Sequence, residues 1–165
     1  ISDKNLILDG EENYYSEKVL KLPEIWNTHF GFNYDRKYNE LKNSNNPSFT
    51  FGSLNNFQKI SKETIEVWSS ILKKSENYSL ILKSSEFCDY TILMEQFRDQ
   101  GVNQQIKILD RKNFKDKQDH LELYKEIDLA LDTFPYNGVT TTFEALWMNV
   151  PVLVLKGFNF NSRCG

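Results

Sequence analysis

The fold is decided by the stretch Leu129-Ala-Leu-Asp-Thr-Phe-Pro-Tyr-Asn-Gly-Val-Thr-Thr-Thr-Phe-Glu-Ala-Leu-Trp-Met148 and the run Val150-Pro-Val-Leu-Val-Leu155 that follows it. The first residues predict a strand that ends at Asp132, and the segment from Thr140 to Met148 predicts a helix. The run after the helix is apolar and β-rich, so it predicts another strand. A strand, a helix and a strand in this order form the crossover unit of a parallel sheet.

The same alternation of short β-rich runs and amphipathic helices extends upstream to Ser48. Further strands are predicted at Ser48–Gly52, Tyr78–Lys83 and Ile106–Leu109, and a short helix at His120–Ile127. A helix capped by Ser61 would bury Ile65, Trp68, Ile71 and Leu72, and one from Tyr90 to Gln100, stopped by Gly101, would turn Ile92, Leu93, Met94 and Phe97 to the sheet. We therefore predict an α/β fold, a Rossmann-like parallel sheet of about five strands with helices on both faces.

Composition and charge exclude several classes of protein. The chain has 165 residues, of which 39% are hydrophobic and 26% charged, as in a globular domain with a core. Its net charge of -3 provides no general basic field, so we expect no nucleic-acid partner and no binding to anionic membranes. No apolar run approaches the roughly 20 residues of a membrane helix, and the first residues lack a secretory signal, which predicts a cytoplasmic protein.

Metal, redox and hydrolase chemistry have no positive signal in the sequence. Cys88 and Cys164 are the only cysteines, and they lie far apart without a C-x-x-C or Cys/His ligand spacing. No G-x-S-x-G elbow is present, and the acidic pair Glu11-Glu12 lies in an irregular region. We expect no metal site, no disulfide framework and no resident cofactor.

The chain divides into two parts by composition. Residues 1–47 are rich in Asn, Tyr and Lys and end in the polar cluster Lys42-Asn-Ser-Asn-Asn-Pro47, which we interpret as a linker. Residues 48–165 hold the predicted sheet. Because the last strand is followed by only a short polar tail without a closing helix, we expect this domain to be truncated at its C-terminus.

The loop from Asp132 to Thr142 carries the strongest signal for a ligand. It joins the carboxyl end of a strand to a helix N-terminus, where free backbone N–H groups and the helix dipole favour a phosphate. Three threonines add hydroxyl donors, and Gly138 lets an anion approach the backbone. The loop matches neither the Walker nor the G-x-G-x-x-G pattern. A second interpretation stays open, in which Thr141 is an N-cap and Glu144 its capping-box partner.

Other polar residues at the same edge of the sheet have two interpretations each. Lys59 lies between the first strand and the helix after Ser61, where it can neutralise a diphosphate or simply be solvated. His120 can stack on a base or donate to a ligand, but a lone histidine is often structural. Lys117 fits a solvated face, and Arg163 fits either a phosphate or the surface.

Taken together, five segments resemble the catalytic region of the O-linked N-acetylglucosamine transferases: Phe51-Gly-Ser-Leu-Asn-Asn-Phe-Gln-Lys-Ile60, Asp119-His120, Ile127 to Met148, Val150-Pro151 and Ser162-Arg163. The resemblance is strongest to bacterial, SPINDLY-like members, in which tetratricopeptide repeats precede the transferase. Tyr15-Ser-Glu-Lys18 and Leu22-Pro23 resemble the segment where that family leaves its first domain. The resemblance thus extends over nearly the whole chain.

The resemblance implies a GT-B fold and an inverting, metal-independent reaction. By it, residues 1–47 are the connector from the first Rossmann-like domain, and residues 48–165 are the nucleotide-sugar-binding domain. Lys59 would act as the catalytic residue that neutralises the diphosphate of the leaving UDP, which is the main task left to a protein without a metal. The nucleotide sugar would be bound by Asn56, Lys117, His120, Thr140, Thr141, Thr142, Glu144 and Arg163.

In that comparison His120 packs on the uracil, Lys117 lies near the base and Glu144 receives the ribose hydroxyls. The implied function is transfer of N-acetylglucosamine from UDP to Ser or Thr of a protein acceptor, which would be held by regions outside this chain. The isolated chain would then be inactive. The alternatives are a non-catalytic nucleotide-binding or interaction module, and a relative that uses GDP-fucose.

Overall fold

The computed structural model describes residues 1–32, 47–83, 89–110, 112, 114 and 116–165. Two strands form a small parallel pair, β1 (Ser2–Asp3) with β2 (Lys21–Leu22). Five more strands form one larger sheet: β3 (Phe49–Ser53), β4 (Tyr78–Lys83), β5 (Ile106–Leu109), β6 (Leu129–Leu131) and β7 (Val152–Leu153). All pairings in this sheet are parallel, in the order β5-β4-β3-β6-β7.

Four α-helices lie in the described part of the chain: α1 (Lys62–Leu72), α2 (Thr91–Asp99), α3 (Lys117–Glu122) and α4 (Thr140–Trp147). Short 3-10 helices are found at Glu11–Tyr14, Phe57–Lys59, Asn103–Gln105, Leu123–Glu126 and Phe160–Arg163. Helix α1 begins at the predicted cap, because the Ser61 hydroxyl accepts the backbone N–H of Thr64 at 3.2 Å. Helix α2 ends before Gly101, whose φ of +73° suits a residue without a side chain.

The predicted Rossmann-like fold is confirmed, with a separate apolar core on each face of the sheet. Because side chains alternate along a strand, Leu80 and Leu82 of β4 face one core and Ile81 faces the other. The first core packs α1 and α2 onto the sheet through residues such as Trp68 and Phe97. The second packs the region of α3 and α4 onto the opposite face.

Close contact between the sheet and the second core depends on a glycine in β3. A Cβ built on Gly52 would overlap the side chain of Ile127, which is buried just before β6. The side chain of Ile127 therefore occupies the space that any larger residue in β3 would need. Gly52 lies where β3 pairs with β6, in the register that places Phe51 opposite Leu129.

Three sequence predictions about the elements are wrong in detail. The helix predicted at His120–Ile127 begins earlier, as α3, because the Asp116 carboxylate caps it by accepting the backbone N–H groups of Gln118 and Asp119. Its second half is a 3-10 helix. The last strand is only Val152–Leu153, and Ile92 is 69% exposed rather than turned to the sheet.

The N-terminal segment contacts the larger domain through an ion pair. The Arg163 guanidinium holds the Glu11 carboxylate by two hydrogen bonds, of 2.6 and 3.0 Å, and donates to the carbonyl oxygen of Leu6 at 3.0 Å. The division at residue 47 stays a prediction, and positions 42–46 of the expected linker lie outside the described residues, as does Cys88.

Cys164 is a free thiol. No helix in the described ranges is long and apolar enough to cross a membrane. Within the same residues, no group of three or more His, Cys, Asp or Glu side chains is placed to hold a metal ion.

Candidate nucleotide-binding site

The order of the strands places two loops side by side at the centre of the sheet. β3 is the first strand of the large sheet in the chain, and it pairs with β4 on one side and β6 on the other. From β3 the sheet therefore grows in two directions, first through β4 and β5 and then through β6 and β7, and the switch point lies between β3 and β6. In open α/β sheets, ligands bind in the crevice at such a switch point, beyond the carboxyl ends of the strands. The loops after β3 and β6 are the two that carry the predicted site residues.

The loop after β6, residues 132–138, is organised around one carboxylate. The Asp132 Oδ1 atom accepts the backbone N–H groups of Thr133 at 2.8 Å and Gly138 at 2.6 Å, and the Asn55 side-chain amide at 3.1 Å. Burial raises the pKa of Asp132 above its ordinary 3.8, against these hydrogen bonds. Asn137 in the same loop is fully buried, and its amide donates to the Thr133 carbonyl oxygen at 2.8 Å.

Asn55, in the loop after β3, is hydrogen-bonded both to the 132–138 loop and to α4. The buried Asn55 side chain accepts the Thr141 hydroxyl at 2.8 Å while donating to Asp132. The N-cap of α4 is Val139, which provides no side-chain hydrogen bond. The capping-box interpretation of Thr141 and Glu144 is therefore wrong, and the first turn of α4 keeps backbone N–H groups without an intrahelical acceptor.

Lys59 reaches into the same crevice from the end of the 3-10 helix Phe57–Lys59. Its Nζ atom donates to the carbonyl oxygen of Asn137 at 3.0 Å and lies 3.9 Å from the centre of the Tyr136 ring. Burial lowers the pKa of Lys59, and the nearby Asp132 charge only partly opposes that effect. A partly desolvated ammonium held by neutral partners gains from an anion placed beside it.

A second cluster lies around Glu144, one turn into α4. We name the side chains of Lys83, His120, Tyr124 and Glu144 the His120 cluster. The His120 Nε2 atom lies 2.9 Å from Glu144 Oε2, and its Nδ1 atom lies 2.7 Å from Lys83 Nζ. The Tyr124 hydroxyl donates to the Thr141 carbonyl oxygen at 3.1 Å and contacts Glu144 Oε2 at 3.4 Å. Both contacts to Glu144 use Oε2, so neither engages Oε1.

The other predicted nucleotide-binding residues described next are Asn56, Thr140, Thr142 and Lys117. Asn56 is exposed, and its side-chain oxygen accepts the backbone N–H of Gln58 at 3.0 Å. Thr140 is exposed, whereas the Thr142 hydroxyl turns back to the Gly138 carbonyl oxygen at 3.4 Å. Lys117 is exposed, and its Nζ atom lies 4.5 Å from the centre of the Phe32 ring.

Arg163, predicted to contact phosphate, has protein partners instead. Besides Glu11 and Leu6, it donates from Nε to the carbonyl oxygen of Gly157 at 3.0 Å. Only 6% of its side chain is exposed. We propose that it joins the N-terminal segment to the domain.

Several residues that organise the site have no assigned role in the sequence analysis. Asp132 directly follows β6 and Asn55 lies two residues after β3, and a polar residue just after a buried strand is a signal that could have identified them. Tyr124 and Lys83 offer no such signal. Their partners are 20 and 37 residues away in the chain, so only the folded arrangement identifies them.

The fold and this crevice define the class of protein as the Rossmann-like, nucleotide-binding half of a GT-B glycosyltransferase. The sequence profile of Glycosyl transferase family 41 matches residues 37–165. The chain belongs to this family.

Named relatives agree with the family. A probable UDP-N-acetylglucosamine–peptide N-acetylglucosaminyltransferase SPINDLY of Eustoma exaltatum subsp. russellianum is 36% identical over 118 residues, covering 68% of this chain and 12% of that protein. Its counterpart in Arabidopsis thaliana is 37% identical over 112 residues, covering 66% of this chain and 12% of that protein. A mutant O-GlcNAc transferase of Thermobaculum terrenum superposes with a TM-score of 0.80 at 28% identity, covering 99% of this chain and 31% of that one.

Proposed function

We propose that this chain is the donor-binding part of an inverting, metal-independent glycosyltransferase that uses UDP-N-acetylglucosamine. The acceptor would be a Ser or Thr hydroxyl of a protein. Its oxygen would attack the anomeric carbon as the bond to UDP breaks, UDP would leave with the electron pair, and the hydroxyl proton would pass to a phosphate oxygen of the departing UDP or to solvent. The observation that carries the proposal is the contact of Lys59 with the loop that leads into α4, because it places a cation beside a helix N-terminus.

The diphosphate would lie between Lys59 and the first turn of α4. The ammonium and the free backbone N–H groups would both face the charge that develops on the leaving phosphate. Thr140 would add its exposed hydroxyl, while Thr141 would act mainly through its backbone because its hydroxyl is held by Asn55. Asn56 is close in sequence and exposed, so its amide nitrogen can contribute from the rim.

The nucleoside would lie against the His120 cluster. Lys83 and Glu144 occupy both ring nitrogens of His120, so a ligand would meet the ring through a face rather than through a nitrogen. This favours stacking on the base over donation to it. The Glu144 Oε1 atom is the carboxylate oxygen left for the ribose hydroxyls, and Lys117 would reach the base from the start of α3.

The regions that hold the acceptor would lie outside this chain, which spans only 12% of each of the two plant relatives. The tetratricopeptide repeats, the bacterial origin and the cytoplasmic location expected from the sequence stay predictions. We expect the chain alone to bind the donor nucleotide without transferring sugar.

Binding is tested by following the thermal unfolding of the chain with increasing UDP. A ligand that binds only the folded protein raises the unfolding midpoint with its concentration. Lys59→Ala should abolish that rise, and Lys62→Ala is the matched control because its side chain is 76% exposed on α1. An equal rise in all three proteins would remove Lys59 from the phosphate site.

Donor choice and catalysis are tested separately. The same titration with GDP should give a smaller rise than UDP, and a larger one would favour a GDP-fucose donor. Sugar transfer should be assayed in the full-length protein with and without a metal chelator, and unchanged activity is expected. Strong binding without transfer in the full-length protein would favour a non-catalytic nucleotide-binding module.

A further inference from the structure

We propose that Lys83 and Tyr124 are positioning residues: Lys83 holds His120 as the Nε2–H tautomer, and Tyr124 helps to orient the Glu144 carboxylate that receives this N–H group. This inference deepens the proposed function, because the ring so fixed is the one proposed to stack on the base. The tautomer itself follows from contacts within the chain and can be tested without any nucleotide.

The proton positions follow from the donors and acceptors that surround the ring. A lysine ammonium has three donors and no acceptor, so Nδ1, at 2.7 Å from Lys83 Nζ, must offer its lone pair. A neutral imidazole with an acceptor at Nδ1 carries its proton on Nε2. The Nε2–H group then donates to Glu144 Oε2 at 2.9 Å. A doubly protonated ring would set an N–H group against the ammonium.

Tyr124 contacts Glu144, the residue that accepts the hydrogen bond from His120. Burial raises the pKa of Tyr124 well above its ordinary 10.0, so its hydroxyl remains a donor at neutral pH. It donates to the carbonyl oxygen of Thr141, in the first turn of α4, and contacts the Glu144 oxygen that receives His120. Tyr124 therefore connects the orientation of Glu144 to the turn of α4 that is proposed to face the diphosphate.

The elements that carry these groups are rigid, which makes the arrangement suitable for pre-organisation. Lys83 ends a strand paired on both sides, by β3 and β5. Only 13% of the His120 side chain and 7% of the Glu144 side chain are exposed. A ring held at both nitrogens loses little freedom when a base stacks on it, so the ordering cost of binding is already met in the free protein.

The experiment compares the His120 ring nitrogens by NMR at neutral pH in the ¹⁵N-labelled chain, with His120→Gln to assign the signals. In the unsubstituted chain we expect an unprotonated Nδ1 and a protonated Nε2. In Lys83→Met a protonated Nδ1 should appear, because Glu144 still receives the Nε2–H group while Nδ1 has lost its donor. Lys83→Arg, which keeps a charged donor, should keep Nδ1 unprotonated. Tyr124→Phe should keep the tautomer. Lys107→Met is the matched control, since Lys107 lies in the adjacent strand in an exposed ion pair with Glu126.

The affinity for UDP is then measured by calorimetry for the same set of proteins. Lys83→Met and Tyr124→Phe should each raise Kd about tenfold, the scale of one lost hydrogen bond to a charged group, while Lys107→Met should not change it. A protonated Nδ1 in the unsubstituted chain, or an unchanged Kd in Lys83→Met, would overturn the positioning role. Failure of the unsubstituted chain to bind UDP, with the tautomer as expected, would instead overturn the proposed function.

Discussion

The 132–138 loop and the His120 cluster each contain a buried or half-buried carboxylate, but the two carboxylates have different partners. Asp132 accepts hydrogen bonds from its own loop and from Asn55. Glu144 accepts from side chains of the α3 region and keeps one oxygen outside those contacts. The Asp132 carboxylate organises its own loop, whereas the Glu144 carboxylate is held by the side chains of His120 and Tyr124. We therefore expect changes at Asp132 to affect stability most and changes at Glu144 to affect binding most.

The largest effect is expected for Asp132→Ala. The substitution leaves three donors without their acceptor, so the free energy of unfolding should fall by about 3 kcal/mol. Chemical denaturation measures this loss. Asp132→Asn keeps an acceptor oxygen and should lose about half as much. Equal losses in the two variants would show that the charge, and not the hydrogen bonds, shapes the loop.

A smaller loss is expected for Gly138→Ala in the same loop. The added Cβ would overlap the Thr141 hydroxyl and come within 2.9 Å of Asn55 Oδ1, so the hydrogen bond between the two loops must break. The cost of such overpacking is about 2 kcal/mol, and UDP should no longer raise the unfolding midpoint. Gly10→Ala, in open space, is a partial control, but its φ of +90° adds strain of its own. A variant that keeps its full response to UDP would separate the loop contact from binding.

Glu144→Gln sharpens the contrast between the two carboxylates. The amide keeps an acceptor for His120 but removes the charge proposed to receive the ribose hydroxyls, so Kd for UDP should rise about tenfold. The free energy of unfolding should change by less than about 1 kcal/mol, because the shape of the side chain is preserved. Calorimetry and denaturation measure the two quantities. A large loss of stability with an unchanged Kd would show that Glu144 supports the fold rather than nucleotide binding.

The smallest effect is expected at the ion pair between Glu11 of the N-terminal segment and Arg163. The hydrogen bonds from Arg163 lower the pKa of Glu11 from 4.5 to about 2. A carboxyl whose pKa is lowered in the folded state stabilises the protein above its unfolded pKa and loses that contribution as the pH falls through the folded value. The midpoint difference between the unsubstituted chain and Glu11→Gln should therefore be largest near pH 7 and shrink below pH 4.5. A constant difference over this range would contradict the ion pair.

Local sequence patterns predicted most of the fold because they act over a few residues. Ser61 caps α1 as expected, and the alternating β4 run divides its side chains between the two cores. The start of α3 was missed because its cap, Asp116, stands in a charged loop with many possible caps. The exposure of Ile92 depends on how α2 is rotated against the sheet, which short-range spacing does not determine.

The candidate site was predictable as a location but not as a set of partners. The loops that carry Lys59 and Thr141 follow predicted strands, so the rule that ligands bind beyond the carboxyl ends of parallel strands selects them from the sequence. The contact of Arg163 with Glu11 joins residues 152 positions apart, and Glu144 meets His120 rather than Thr141. Such pairings depend on the register of the whole sheet, so spacing within a motif cannot reveal them.

Helix α4 contributes residues to both the phosphate side and the nucleoside side of the proposed site. In the proposed site its first turn would face the phosphates and Glu144 the nucleoside, and three residues of helix separate Thr141 from Glu144 by about 4.5 Å along the axis. The helix therefore sets the distance between the groups proposed to contact the phosphates and the ribose. A nucleoside monophosphate lacks the second phosphate that the first turn of α4 and Lys59 are proposed to contact, so we expect UMP to bind more weakly than UDP.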